Sequence, residues 1–227
     1  MIPNWEKIPS DMKNDYVRKY YDIIMKKKKS LIFKRMFDIV ASLIFLVILS
    51  PIMLIVAVLI KMSSKGKIIY KQKRITQYKK EFYIYKFRTM TDNDKMKSSI
   101  TCYNDPRITR IGKLLRKFRI DEFPQLFSVL KGDMSFVGTR PEVIDYINCY
   151  SDEMLATLIL PAGVTSMCSI KFREEEKYLK DSDDIFKTYV DCILPKKMVY
   201  NIEYLESFNF FYDIKIMFMT FFKVFLR

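Results

Sequence analysis

The apolar run from Ile39 to Ile60 constrains this chain more than any other segment, because it contains no formally charged side chain. A helix of this length reaches about 33 Å, which is enough to cross the hydrocarbon core of a bilayer. Ser50-Pro51 stands at its middle. Pro51 has no amide hydrogen for the carbonyl of Val47, and its ring clashes there, so a kink or break is expected.

Basic residues flank the apolar run on both sides and bear on how it meets a membrane. They are Lys34 and Arg35 before the run and Lys61, Lys65 and Lys67 after it. Cytoplasmic flanks of membrane segments carry an excess of Lys and Arg. A helix that enters, bends at Ser50-Pro51 and returns would keep both flanks on the cytoplasmic side. Proline also occurs in ordinary spanning helices, so the residues alone leave spanning and re-entry open.

The chain divides into four regions by composition. They are a charged N-terminal segment (1–30), the membrane helix (31–62), a catalytic domain (63–200) and an amphipathic C-terminal segment (201–227). The C-terminal segment is apolar but carries Asp213, Lys215 and Lys223. These charges favour a helix that lies in the membrane interface, and a core helix of the soluble part is the alternative.

Local signals predict three elements inside the catalytic domain. Two short β-like runs at 68–70 and 82–85 are separated by polar residues, which predicts a hairpin. Residues after Gly112 have helical spacing of apolar side chains. Pro124 is placed as the first residue of another helix, which ends near Gly132.

The charge balance and the missing residue types limit the chemistry. The formal net charge of +14 favours anionic partners, which include nucleic acid, an acidic membrane face and a phosphorylated substrate. The chain has no His, which excludes a His-based triad or His metal site. No pair among Cys102, Cys149, Cys168 and Cys192 has the spacing of a metal or redox site. Nucleophilic work therefore falls to carboxylates, Lys, Tyr, Ser or Cys.

Asp121 and Glu122 form an acidic pair inside a strongly basic segment, residues 116–142. They stand just before the helix predicted at Pro124, where free backbone amides and the helix dipole favour anions. Arginines or a divalent cation would offset the repulsion between a carboxylate and a diphosphate. A carboxylate nucleophile that attacks phosphorus is chemically reasonable here. A solvated acidic pair on a basic surface is the alternative.

Several segments, taken together and in order, resemble the bacterial sugar transferase family, the monotopic phosphoglycosyl transferases. The matching text is KRMFDIVASLIFLVILSP, IKMSSKG, QKRI, KFRTM, DPRITRIGKLLRKFRIDEFPQL, LKGDMSFVGTRPE and PAGVTS. The resemblance implies an α+β, mainly helical, monotopic membrane protein. Its expected parts are a re-entrant, Pro-broken N-terminal helix, a small β-hairpin and interfacial amphipathic helices. It also implies a catalytic domain on the cytoplasmic side of the inner membrane.

The resemblance also implies an activity and its cofactor. Such an enzyme moves a sugar 1-phosphate from a UDP-sugar to polyprenyl (undecaprenyl) phosphate and uses Mg²⁺. Asp121 matches the family's nucleophile and magnesium ligand, and Glu122 matches its partner in the catalytic pair. The implied pathway builds a glycoconjugate, with downstream glycosyltransferases as further partners.

The remaining site residues follow from the same resemblance. Substrate phosphates and the nucleotide are expected to meet Lys86, Arg88, Arg116, Arg140 and Arg173. The lipid phosphate is expected to meet Lys34 and Arg35, and the helix break falls at Ser50 and Pro51.

The sequence departs from the family at some positions, and two other function classes stay open. Thr139 stands where the family commonly has Pro, and residues 163–166 read Gly-Val-Thr-Ser instead of Gly-Ile-Thr-Gly. A basic nucleic-acid-binding protein is disfavoured by the uncharged run, because such a protein needs a groove-reading element. A catalytically silent, membrane-tethered interaction module is disfavoured by the intact acidic pair.

Overall fold

The computed structural model describes residues 4–91, 105–172 and 184–225, and within them the chain is mainly helical with two small sheets. The predicted α+β, mainly helical class is therefore confirmed. The helices are α1 (Asp15–Met25), α2 (Lys28–Ser63), α3 (Arg110–Lys117), α4 (Gln125–Lys131), α5 (Ile144–Ile147), α6 (Met167–Lys171), α7 (Ile185–Thr188), α8 (Leu194–Ser207) and α9 (Phe210–Phe225). The strands are β1 (Ile69–Ile75), β2 (Glu81–Phe87), β3 (Met134–Val137) and β4 (Ala162–Thr165).

Helix α2 runs without interruption through the Ser50-Pro51 step. The helix is therefore not interrupted there, while the expected kink at Pro51 and the re-entrant path stay predictions. Pro51 leaves the Val47 carbonyl without its backbone donor, and the Ser50 hydroxyl donates to that carbonyl over 2.8 Å. The serine thus satisfies the group that proline frees, which allows helical structure to continue in apolar surroundings.

One face of α2 packs on the protein and the rest is exposed. The buried positions are Lys34, Asp38, Ser42, Val56 and Ile60. The helix is long and apolar enough to cross a membrane, yet only 11% of its most apolar window is buried. An exposed apolar surface of this size favours contact with lipid over a place in the core of a soluble protein.

The two halves of α2 contact the same domain. In the first half, the rings of Phe37 and Phe45 lie 6.1 and 6.0 Å from that of Phe136, near the end of β3. In the second half, Val56 and Ile60 pack in a cluster with Phe87 and Leu115. A straight span would carry one half away from this domain.

The predicted hairpin is confirmed. Strand β1 pairs antiparallel with β2, and the register sets Tyr70 opposite Lys86. The tip is the short 3-10 turn Gln77–Lys79, in which Tyr78 and Lys79 have φ of 57° and 58°. Non-glycine residues rarely adopt this conformation.

The two predicted helices that flank the acidic pair are also present. Helix α3 begins after Thr109, whose hydroxyl accepts a hydrogen bond from the Gly112 amide at 2.9 Å. Helix α4 follows Pro124 and ends at Gly132, which has φ of 96°. A proline at the start and a left-handed glycine at the end are the expected boundary residues.

A parallel pair of short strands, β3 and β4, was not predicted. It aligns Met134 with Ala162 and Val137 with Thr165. Just beyond β3, the backbones of Gly138 and Gly163 approach so closely that a Cβ on either would collide with the other segment. The pairing depends on contacts across the chain, which local patterns do not report.

The region boundaries drawn from composition do not coincide with structural boundaries. Helix α1 packs in the main core through Val17, Tyr20 and Ile24, and the boundary after residue 30 falls inside α2. The boundary after residue 200 falls inside α8. Helix α9 buries Asp213 and Ile216 and exposes Phe211, Phe218, Phe221 and Phe222, so it combines a core face with an apolar outer face.

Candidate active site

Asp121 and Glu122 lie in a three-residue 3-10 turn, Ile120–Glu122, between α3 and α4. Arg119, just before the turn, adopts a left-handed conformation with φ of 57°. Such a conformation costs about 1–3 kcal/mol for a residue other than glycine, and it clusters at functional sites. The turn contacts β2, and both carboxylates are buried.

Three cations converge on one oxygen of Glu122. Its Oε1 accepts hydrogen bonds from Lys86 Nζ at 3.0 Å, Arg140 Nη2 at 3.1 Å and Arg119 Nη1 at 3.3 Å. Lys86 comes from β2 and Arg140 from the segment after β3, so the hairpin and the parallel pair bring distant cations together. Lys86 and Arg140 were predicted as site residues. Arg119 was not predicted, because the direction of its side chain depends on its left-handed backbone conformation.

The two carboxylates have opposite pKa shifts. Burial raises the pKa of Asp121, and the neighbouring Glu122 charge raises it further. Burial would also raise the pKa of Glu122, but Lys86, Arg140 and Arg119 outweigh it and hold that pKa well below its usual range. Glu122 is therefore the more acidic carboxylate of the pair, and Asp121 is the more basic one. Paired groups whose pKa values are pushed apart are typical of catalytic sites.

The Oδ1 atom of Asp121 is buried and has no hydrogen-bond partner. A buried acceptor without a partner costs about 1–3 kcal/mol, which points to a cation or donor that arrives with a ligand. Among the described residues, no group of three or more His, Cys, Asp and Glu is placed to hold a metal. Mg²⁺ is commonly held by one or two carboxylates together with substrate phosphates and water. Asp121 fits that arrangement.

Arg116 reaches the site through the packing of α3. Its Nε donates to the Thr89 hydroxyl at 2.9 Å. Its positive charge lowers the pKa of Asp121 and so offsets part of the rise caused by burial. A Cβ on Gly112 would collide with the Thr89 carbonyl, so this glycine permits the close approach of α3 to the end of the hairpin. The sequence did not single out Thr89 as a support for Arg116.

Arg88, which was predicted to contact substrate, forms hydrogen bonds with the residues after α2. Its Nη1 donates to the Lys65 carbonyl at 2.9 Å, and its Nη2 donates to the carbonyl and hydroxyl of Ser64 at 2.7 and 2.9 Å. These groups lie just beyond the end of α2. The guanidinium is buried against the end of the helix, and the contact of Arg88 with substrate stays a prediction.

Lys34 and Arg35, which were predicted to meet the lipid phosphate, also form hydrogen bonds within the protein. Lys34 is buried, and its Nζ donates to Asp213 Oδ2 at 2.7 Å and to the Val137 carbonyl at 2.6 Å. Arg35 donates to the last carbonyls of α4, those of Val129 and Leu130, at 2.7 and 2.8 Å. Both cations thus have partners within the protein, and their contact with the lipid phosphate stays a prediction. Arg173 lies outside the described residues.

An apolar groove of about 430 Å³ lies along α2. Its wall includes Phe87, the neighbour of Lys86, and Phe127 of α4, which is exposed. Ser50 of α2 also lines it. The groove is thus lined by apolar side chains of α2, the hairpin and α4, and an extended apolar chain fits such a surface.

Comparison with known proteins gives a match over most of the chain. The family model described as bacterial sugar transferase matches residues 29–227. That range includes the acidic pair, the three cations around Glu122 and the whole of the apolar run.

Curated relatives resemble the same part of the chain. It is 36% identical over 191 residues to a UDP-N-acetylgalactosamine-undecaprenyl-phosphate N-acetylgalactosaminephosphotransferase of Aeromonas hydrophila, which covers 82% of this chain and 42% of the relative. It is 34% identical over 204 residues to a UDP-glucose:undecaprenyl-phosphate glucose-1-phosphate transferase of Klebsiella pneumoniae, covering 87% and 41%. It is 33% identical over 194 residues to the uncharacterized sugar transferase EpsL of Bacillus subtilis (strain 168), covering 86% of this chain and 88% of the relative. The chain thus spans less than half of the first two relatives and most of the third.

Proposed function

Because the chain belongs to the bacterial sugar transferase family, we propose that it transfers a sugar 1-phosphate from a UDP-sugar to a polyprenyl phosphate such as undecaprenyl phosphate. The names of two relatives support a sugar nucleotide donor and an undecaprenyl phosphate acceptor. The product would be a polyprenyl-diphosphate sugar. That product starts a glycoconjugate, such as a capsule, exopolysaccharide, O-antigen or glycoprotein, and downstream glycosyltransferases would extend it.

The observation that carries this proposal is the buried Asp121–Glu122 pair with its three converging cations. Asp121 supplies a carboxylate whose Oδ1 has no partner and whose pKa is raised by burial and by Glu122. A more basic carboxylate is a better nucleophile once it is ionised. The surrounding cations stabilise charge on the substrate phosphates in a buried site, where electrostatic interactions are strong.

The proposed reaction has two steps. In the first, an Asp121 carboxylate oxygen attacks the β-phosphorus of the UDP-sugar, the bond from that phosphorus to the bridging oxygen breaks, and UMP leaves. The sugar phosphate is then held on Asp121 as an acyl phosphate. In the second step, a phosphate oxygen of the polyprenyl phosphate attacks the same phosphorus and releases the Asp121 carboxylate.

Glu122 acts in this scheme as a fixed anion. It keeps Lys86, Arg119 and Arg140 beside the reacting phosphorus, and its lowered pKa argues against proton transfer at neutral pH. Mg²⁺ bound by Asp121 together with the substrate diphosphate would neutralise phosphate charge. Arg116, next to Thr89, extends the positive surface towards the substrate.

The membrane arrangement belongs to the same proposal. Both halves of α2 contact one domain, which supports a re-entrant helix on the cytoplasmic face of the inner membrane. The outer face of α9 would lie in the interface, since its phenylalanines are exposed. The groove beside Phe87 would then receive the isoprenoid end of the acceptor, while its phosphate reaches Asp121.

The experiment that tests this function is UMP release in detergent from a panel of UDP-sugars, with undecaprenyl phosphate as acceptor. We expect release from at least one UDP-sugar, together with a lipid-linked sugar diphosphate. Asp121→Asn is the matched control, because it removes the charge and keeps the shape. Absence of UMP with every donor, from a folded protein, would instead support the silent interaction module.

A further inference from the structure

Glu142 stands two residues after Arg140 and is buried among charged groups. Its Oε1 accepts hydrogen bonds from Tyr189 Oη at 2.6 Å and from Lys197 Nζ at 3.0 Å. Its Oε2 lies 3.8 Å from Arg74 Nη1. The cluster joins the segment that carries Arg140 to the start of α8 and to strand β1.

The backbone around Arg140 is held at three carbonyls. The Thr139 carbonyl accepts from the Gly163 amide at 2.9 Å, and the Glu142 carbonyl accepts from the Ile75 amide at 2.9 Å. The Pro141 carbonyl accepts from Arg74 Nη1 at 3.3 Å. The Glu142 carboxylate therefore acts as the side-chain anchor of a segment whose backbone is also fixed.

Stability alone does not account for such a cluster. A buried ion pair is often no better for folding than apolar side chains of the same size, because desolvation offsets the attraction. A buried ion pair does impose a defined geometry on the groups that form it. Here the ion-paired cluster lies two residues from Arg140, whose guanidinium donates to Glu122 at 3.1 Å. Tyr189 also begins a π-helical turn, a feature common at functional sites.

We propose that Glu142 is a positioning residue, which orients the Arg140 guanidinium towards Glu122 and the substrate diphosphate through its contacts with Tyr189, Lys197 and Arg74. The inference rests on the proposed function, because Arg140 matters only if a phosphate is bound there. Glu142 itself lies behind Arg140 and does not touch the reacting atoms.

A double-mutant cycle tests this inference by comparing the effect of Glu142→Gln with Arg140 present and after Arg140→Lys. The assay is kcat/KM for UMP release by the full chain in detergent. We expect Glu142→Gln to lower kcat/KM about tenfold with Arg140 present. In the Arg140→Lys background the loss should be less than about twofold, because an ammonium has no planar fork to orient. The same fold loss in both backgrounds would overturn the inference.

A matched control separates positioning from general destabilisation. Asp213→Asn also leaves a buried lysine without its partner, since Lys34 is as buried as Lys197. Its effect on kcat/KM should be the same with Arg140 as with the Arg140→Lys variant. If Asp213→Asn shows the same coupling to Arg140 as Glu142→Gln, the coupling reports stability and the inference fails.

Tyr189→Phe keeps the inference testable if Glu142→Gln does not fold. It removes one donor to Glu142 and keeps the ring that packs 4.3 Å from Tyr146. We expect a loss of about threefold that also depends on Arg140, and an equal loss in both backgrounds would refute positioning. A parent protein that releases no UMP would overturn the proposed function and this inference together, whereas an active parent with an additive cycle overturns only the inference.

Discussion

Lys34 provides a prediction that separates a structural ion pair from a lipid-phosphate site. Its Nζ lies 2.7 Å from Asp213 Oδ2, and the two side chains are only 7% and 5% exposed. Tyr204 Oη donates to the other oxygen, Asp213 Oδ1, at 2.7 Å. Lys34→Met leaves the Asp213 carboxylate buried without its cation, and breaking a buried pair in this way costs about 3–5 kcal/mol.

That loss is large enough to measure as a shift in thermal midpoint. Each kcal/mol corresponds to about 2–4 °C for a domain of this size, so Lys34→Met should lower the midpoint in detergent by about 6–20 °C. Asp213→Asn should lower it by a similar amount, since it strands the lysine instead. Replacing both residues with Met and Leu should restore most of the loss, because an apolar pair fills the same space without desolvating a charge.

The exposed pair of Lys73 and Glu81 is the control. Its Nζ to Oε2 distance is 2.8 Å, but the side chains are 60% and 53% exposed, so Lys73→Met should leave the midpoint unchanged. A different set of results would support the predicted contact of Lys34 with the lipid phosphate. If Lys34→Met keeps the parent midpoint and only raises KM for polyprenyl phosphate, while Asp213→Asn has no effect, the structural account of this lysine is wrong.

Three further predictions concern the site and the membrane. Arg140→Lys should lower kcat/KM about tenfold or more without a change in thermal midpoint, because Lys lacks the planar fork, and parent-like kinetics would make Arg140 a mere surface cation. Asp121 must be ionised to attack, so kcat/KM should fall as pH falls through its raised pKa. The Glu122 charge is the second cause of the raised pKa of Asp121, after burial, so Glu122→Gln should move the fall in kcat/KM to lower pH. An unchanged pH profile would mean that another group controls the fall. The last test labels two variants that each carry one cysteine, either Ser10→Cys or the native, exposed Cys149. In intact cells, both cysteines should resist a reagent that cannot cross the membrane. Labelling of the cysteine at position 10 alone would show that α2 spans the membrane.

Helix boundaries were predictable because their signals are local. Pro124 and Gly132 bracket α4 by their own backbone preferences, and Thr109 caps α3 with its own hydroxyl. The hairpin also follows from short apolar runs within one stretch of chain. The acidic pair was recognised from its basic surroundings and its resemblance to a family, and the structure adds which cations it meets.

The partners of individual cations were not predictable from charge. Arg35 and Arg88 have the same side chain as Arg140, but they donate to carbonyls at helix ends, while Arg140 reaches a carboxylate. Nothing in the local sequence distinguishes these outcomes, because the acceptors come from distant segments. Continuity of α2 across Pro51 was missed for a related reason, since the Ser50 hydroxyl replaces the missing donor.

The most direct test of the central claim is to trap the sugar phosphate on Asp121. The parent protein is mixed with Mg²⁺ and a UDP-sugar that it uses as donor, in the absence of polyprenyl phosphate. The masses of the intact protein and of its peptides are then measured by mass spectrometry. We predict a burst of UMP that does not exceed one per protein and a mass increase of one sugar phosphate on the peptide that contains Asp121, both lost in Asp121→Asn. UMP release that requires the acceptor, or an adduct that persists in Asp121→Asn, would contradict the two-step mechanism.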